Sequence, residues 1–119
     1  MEERAILRIG DIELRIAEIR KLLSGKSFEQ IDSDNVARAA LERFFEIISE
    51  ASRHLPEAWK REHAEVPWRR IADIGNVIRH AYERVDLKIL WEICGRDLVL
   101  LERAIDAMRE AHAAKGGSV

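Results

Sequence analysis

The chain has 119 residues and a mass of 13.7 kDa, with a formal net charge of -2, 35% charged and 47% hydrophobic residues. That is room for one domain around one core, too aliphatic for a disordered chain. Its longest apolar run, Leu98-Val99-Leu100-Leu101, falls far short of the roughly 18 residues of a membrane span. Charges also interrupt MEERAILRIGDIELR, so no signal peptide is expected and the cytoplasm is the expected compartment.

Ala5, Ile9, Ile12, Ile16, Ile19 and Leu23 recur at steps of four and three, which predicts a first helix from about Glu3 to Ser24 with one face on partner helices. Gly25 stops it. The polar connection GKSFEQIDSDN follows, in which Asp32 and Ser33 are the candidate N-caps of the next periodic run. Val36, Ala40, Phe44, Ile47, Ile48 and Ala51 mark the apolar face expected of a second helix, ending near His54 and closed by Leu55-Pro56.

Pro56 can sit at the first turn of a short helix carrying Trp59, and Pro67 can open another segment whose core stripe is Ile71, Ile74 and Ile78. A last helix is expected from a cap at Asp86, with Leu87, Leu90, Trp91, Cys94, Leu98, Leu101, Ile105 and Met108 on one side. The pattern contains no alternating strand signal and no internal repeat. The expected fold is all-α: an antiparallel four-helix bundle with a short extra helix over residues 1–114, then a flexible tail at 115–119. Any apolar stripe that four helices cannot cover would form a homodimer seam.

The single cysteine, Cys94, provides neither a disulfide framework nor a thiolate cage and reads as a buried, inert thiol. Four histidines, His54, His63, His80 and His112, include no paired Glu-x-x-His and no HExxH. Glu50 and His54 form only an isolated i, i+4 contact. With no phosphate-cradling or dinucleotide glycine motif either, no metal or cofactor is expected. The charge is uneven: Lys60 to Lys88 carries seven basic against five acidic residues, leaving the remainder at -4. A chain with so little net charge is not built to grip long nucleic acid by bulk electrostatics.

The informative block is WRRIADIGNVIRHAYERVD, residues 68–86. On a helix, Arg69, Asp73, Asn76 and His80 fall within roughly 40° of one another, opposite the isoleucine stripe, with Arg79 flanking them. Spacing alone leaves a solvated face and a functional strip both open.

Three stretches together, EIISEASRHLP, VPWRRIADIGNVIRHAYERVD and LKILWEICGRDLVLLERAI, resemble the HEPN superfamily, specifically the HepT-like minimal HEPN proteins paired with small nucleotidyltransferases. The resemblance implies an all-helical homodimer. It also implies a motif of Arg, four to six residues, then His, often followed by one residue and Tyr, meeting its symmetry copy in a cleft. Active members are metal-independent ribonuclease toxins, neutralised by a nucleotidyltransferase antitoxin that adenylylates the Tyr. Here His80 and Tyr82 match the His-x-Tyr positions and Asn76 the polar residue after the motif Arg, while Gly75 stands where that Arg belongs.

Metal-free RNA cleavage needs a base for the ribose 2′-hydroxyl, an acid for the leaving 5′-oxygen and a cation for the charge growing on the phosphate. Histidine suits the proton transfers. Arginine suits the phosphate through its planar fork of donors. Arg79, one turn after Gly75, can point back over it, so the expected catalytic set is His80, Arg79 and Asn76, with Tyr82 regulatory and RNA the substrate. The alternatives are a catalytically inactive module that binds a nucleotidyltransferase or RNA, and a purely structural bundle. Tyr82 is open between a core and a cleft position.

Overall fold

The computed structural model describes residues 2–81 and 85–117. Helix α1, Glu2–Leu23, presents Ala5, Ile9, Ile12, Ile16 and Ile19 to the interior, as the 4-3 spacing predicts. It ends on Gly25 at φ 73°, a left-handed conformation that costs a glycine nothing.

The connection after α1 is more ordered than its polarity suggests. Ser27 and Gln30 form a reciprocal capping box, Gln30 N–H to Ser27 Oγ at 3.1 Å and Ser27 N–H to Gln30 Oε1 at 2.8 Å. This box starts a one-turn helix α2, Phe28–Asp32, whose Ile31 enters the core. Asp34, and not Asp32 or Ser33, then caps α3, Asn35–Arg53, its Oδ1 accepting from the Val36 and Ala37 N–H groups.

The face of α3 is correspondingly displaced from the expected one. Ala37, Leu41, Phe45, Ile48 and Ala51 are buried, whereas Val36 is 80% exposed and Ala40, Phe44 and Ile47 are half-buried. The sequence carries apolar residues on two adjacent registers, and packing against α1 on one side and a later helix on the other selects the second. Ser49 and Ser52 are buried as well.

Helix α4, Glu57–Arg61, follows Pro56, which occupies the cap and not the first turn. Its buried Trp59 stacks on His112 with ring centroids 3.8 Å apart. Helix α5, Trp68–Arg79, starts after Pro67 and buries Ile71, Ile74 and Gly75, with Ile78 half-buried. Asp86 caps α6, Leu87–Glu92, as expected, accepting from the Lys88 N–H at 3.0 Å.

A π-helical turn, Ile93–Asp97, joins α6 to α7, Leu98–Gly117, without a break. The extra residue of that turn shifts the inward face. Ile93, Asp97, Leu98, Leu101, Ala104, Ile105 and Met108 are buried, while Trp91 and Cys94 are only half-buried. Burial pushes the Cys94 thiol up to about 12, partly offset by the nearby Arg20.

The main helices pack in the order α5, α3, α1, α7, and the α6–α7 rod closes the ring by packing Ile93, Leu98 and Leu101 against Phe45, Ile48, Ile71 and Ile74. The result is an antiparallel four-helix bundle with short helices in its connections. No strand occurs among the described residues, and no helix among them is long and apolar enough to cross a membrane.

Candidate functional site

Helix α5 carries the candidate residues because its two faces differ so sharply. Ile71, Ile74 and Gly75 lie against the core, while Arg69, Asp73, Asn76, Arg79 and His80 are all exposed. The polar strip read from the spacing is therefore one continuous surface.

Gly75 sets how close α5 comes to α3. Its backbone N–H donates to Ser49 Oγ at 3.2 Å, and the Ser49 hydroxyl donates to the Ala72 carbonyl at 2.8 Å. Arg53, at the end of α3, donates to the same carbonyl at 2.8 Å. One hydroxyl thus bridges two backbone groups of α5, which requires a neighbour without a side chain.

The outer side of Gly75 is covered by Arg79. A Cβ placed on Gly75 would lie 3.2 Å from one terminal nitrogen of Arg79, so the guanidinium folds back one turn over the glycine. Its other terminal nitrogen donates to Asn76 Oδ1 at 2.5 Å. Both residues are exposed, and the Asn76 amide NH2 and the remaining guanidinium N–H groups are donors of the kind that suits phosphate oxygens. Helical geometry alone explains the fold-back, since long side chains lean toward the N-terminus.

His80 is the residue on which α5 ends. Its backbone leaves the helix at φ -100° and ψ 7°, with its N–H bonded to the Asn76 and Ile78 carbonyls. The residue is exposed, one position after Arg79 in the chain. Tyr82, expected in either a core or a cleft position, lies outside the described residues. Val85, just before α6, is held to α3 by Arg38, 4% exposed, whose guanidinium donates to the Val85 carbonyl and pairs with Asp32.

Other features fall elsewhere. His54 and Glu50 are 3.6 Å apart on the surface. Among the described residues, no group of three or more His, Cys, Asp or Glu comes together as a metal cluster. Sequence reasoning missed Ser49, Arg38 and Asp97. Asp97, 2% exposed in the π turn, accepts from Arg70 at 3.2 Å. The legible signal for Ser49 was a serine amid the apolar face of α3, at the level where α5 has a glycine.

The family described as “Ribonuclease HepT-like” matches residues 12–108. The chain is 34% identical over 102 residues to a Thermococcus cleftensis protein named “Probable ribonuclease HepT”, covering 86% of this chain and 93% of that one. It is 35% identical over 83 residues to “Putative RNase TTE0752” of Caldanaerobacter subterraneus, covering 70% and 74% of the two chains. A third relative, “Putative RNase MJ1380” of Methanocaldococcus jannaschii, is 27% identical over 79 residues, covering 66% of this chain and 72% of that one. No solved structure matches significantly.

Proposed function

The chain belongs to the HepT-like ribonuclease family, and from that premise we propose that it is a metal-independent endoribonuclease with Arg79, Asn76 and His80 as its working residues. The observation that carries the proposal is the Arg79 guanidinium lying over Gly75 and bonded to Asn76. It puts a cation next to the position from which the family's motif Arg is missing.

In the proposed reaction a His80 imidazole takes the proton of a ribose 2′-hydroxyl. The freed oxygen forms a bond to the adjacent phosphorus while the bond from phosphorus to the 5′-oxygen breaks, and a protonated imidazole gives its proton to that leaving oxygen. Arg79, steadied by Asn76, neutralises the charge that builds on the non-bridging oxygens. The products are a cyclic 2′,3′-phosphate end and a free 5′-hydroxyl.

One protomer offers one imidazole on an open surface. A base and an acid in a water-poor cleft call for a second copy, and a homodimer that apposes two α5 ends supplies both. The family resemblance supports such a dimer, and a role as a toxin neutralised by a cognate nucleotidyltransferase that adenylylates Tyr82. Adding a negative group where a phosphate should bind would oppose that binding.

The deciding experiment is cleavage of single-stranded RNA by the purified protein with a chelator present. Wild type cutting to cyclic phosphate ends, with His80→Ala inactive yet folded, is the expected result. One observation favours a second reading: Ser49 leaves no room for a side chain at position 75, so the site lacks the motif Arg and could serve as an inactive binding module. Wild type that binds RNA or a nucleotidyltransferase but never cuts would establish that reading. Transfer of adenylate to Tyr82 is checked by mass spectrometry after incubation with a cognate nucleotidyltransferase and ATP.

A further inference from the structure

A second feature of α5 lies at its other end. A groove of about 500 Å³ runs between α4 and the first half of α5, lined by Glu57, Lys60, Arg61, Trp68, Arg69 and Ala72. Its charges are not equivalent. Lys60 is spent, since its ammonium sits 3.0 Å from Glu57 and donates to the Ser52 carbonyl at 3.2 Å. Arg61 and Arg69 are exposed, and neither is ion-paired among the described residues. Among the described residues the groove therefore keeps two guanidinium groups without an ion-pair partner.

Trp68 is the aromatic element. Its indole N–H donates to both the Lys60 and His63 carbonyls, at 3.1 and 3.0 Å, which fixes the half-buried ring at the groove wall. An immobilised indole beside free arginines is the combination that holds a single nucleic-acid strand: bases of any identity stack on the ring while cations track the phosphates. A duplex hides its bases and cannot use the ring.

The groove is also aligned with the proposed cutting site. Arg69, Asn76 and His80 share one face of α5, and Arg69 stands about 15 Å before Arg79 at 1.5 Å per residue. We infer that the α4–α5 groove is a binding subsite for single-stranded RNA flanking the cleaved bond, with Arg61 and Arg69 contacting phosphates and Trp68 a base. This rests on the ribonuclease reading for the identity of the strand, and it adds to it a preference for unpaired RNA that extends beyond the cut.

The test is fluorescence anisotropy with a labelled, fully 2′-O-methylated single strand of roughly ten nucleotides, which binds but lacks the attacking hydroxyl. The R61A/R69A variant should bind it roughly tenfold more weakly, with the slope of log affinity against log salt reduced by about 1.4 for two lost phosphate contacts. R4A/R103A, which removes equal charge from α1 and α7, should bind as wild type does. Unchanged affinity and slope in R61A/R69A, or an equal loss in R4A/R103A, overturns the inference. So does polyglutamate competing as well as unlabelled RNA, which would assign the groove to an acidic protein. Cleavage of unmodified RNA in the same preparations is scored separately: wild type that fails to cut while R61A/R69A loses the strand removes the ribonuclease reading and leaves the groove standing.

Discussion

Gly75 donates its backbone N–H to Ser49 Oγ at 3.2 Å, and a Cβ added to Gly75 would stand 2.7 Å from that same oxygen and 3.2 Å from the Ser49 Cβ. The Ser49 hydroxyl cannot swing away freely, because it also bonds the Ala72 carbonyl. The glycine at the expected arginine position is therefore a packing requirement of this bundle. Gly75→Ala should destabilise the fold by about 1–3 kcal/mol through overpacking, despite gaining up to about 1 kcal/mol of helix propensity. Urea denaturation measures it. Ser49→Ala removes the closest clash, so the double variant should lose less than the sum of the two single changes. A Gly75→Ala protein more stable than wild type would contradict this account.

Arg38 ties the segment after the site to α3. With 4% exposure it is engaged by Asp32 and by the Val85 carbonyl. Arg38→Met keeps much of the aliphatic stem but leaves that carbonyl without its donor, at a cost of about 1–3 kcal/mol. Hydrogen exchange at the amides of Val85 to Lys88 should accelerate more than at the centre of α1. Uniform protection in the variant would show that Arg38 does not anchor this segment.

These two residues also mark where the sequence was readable and where it was not. Stripes of one register, such as Ile9 to Ile19 in α1, specify their buried face directly, and Asp86 and Pro67 mark helix starts through local chemistry. Helix α3 was misread because Val36, Ala40 and Phe44 compete with Ala37, Leu41 and Phe45, and only the neighbouring helices decide between them. The capping box at Ser27 was missed because a single turn gives no periodicity. Asn76, Arg79 and His80 were legible as one exposed strip, since the 3.6-residue period fixes their common side. Ser49 and Arg38 were not, because their partners are 26 and 47 positions away in the chain.

Cys94 provides a pH test of the interior. Burial raises its thiol from an ordinary value of 9.0 to about 12, so the folded state holds a proton that the unfolded state releases. The sign follows: this contribution to stability is intact below about pH 9 and is lost as pH rises from there toward 12. Native protein at pH 8 should alkylate with iodoacetamide on the order of a hundredfold or more slowly than protein unfolded in guanidinium. Equal rates would show an accessible thiol.

Asp97 places a carboxylate at 2% exposure inside the π turn, held by Arg70, whose side chain is 46% exposed. Arg96 stands farther off, 3.6 Å from Oδ1. Removing Arg70 leaves the buried carboxylate, among the described residues, with that weaker contact, and Arg70→Ala should cost about 1–3 kcal/mol, below the full penalty of a wholly buried pair because Arg70 is partly solvated. Adding Asp97→Asn to Arg70→Ala removes the uncompensated charge and should recover part of the loss. Thermal denaturation of wild type and the two variants decides; an Arg70→Ala protein as stable as wild type would mean that solvent and Arg96 suffice.

Arg79 is the residue on which the proposed chemistry turns, and its exposure separates catalysis from folding. Arg79→Ala removes a side chain whose hydrogen-bond partner is the neighbouring Asn76, so stability should change by no more than about 0.5 kcal/mol. Cleavage should fall by roughly 10²–10³, the size of effect seen when one donor to developing negative charge is deleted. Arg79→Lys retains the charge without the fork and should fall between the two. Asn76→Ala leaves the guanidinium in place but unsteadied, and should lose less than Arg79→Ala. Restoring the family pattern by combining Gly75→Arg with Arg79→Ala should not restore activity, because the new side chain starts from a Cβ 2.7 Å from Ser49 Oγ. Rates on a single-stranded RNA with chelator present, read beside thermal denaturation, check all four. An Arg79→Ala enzyme that cuts at the wild-type rate would mean that the cation at the phosphate comes from elsewhere.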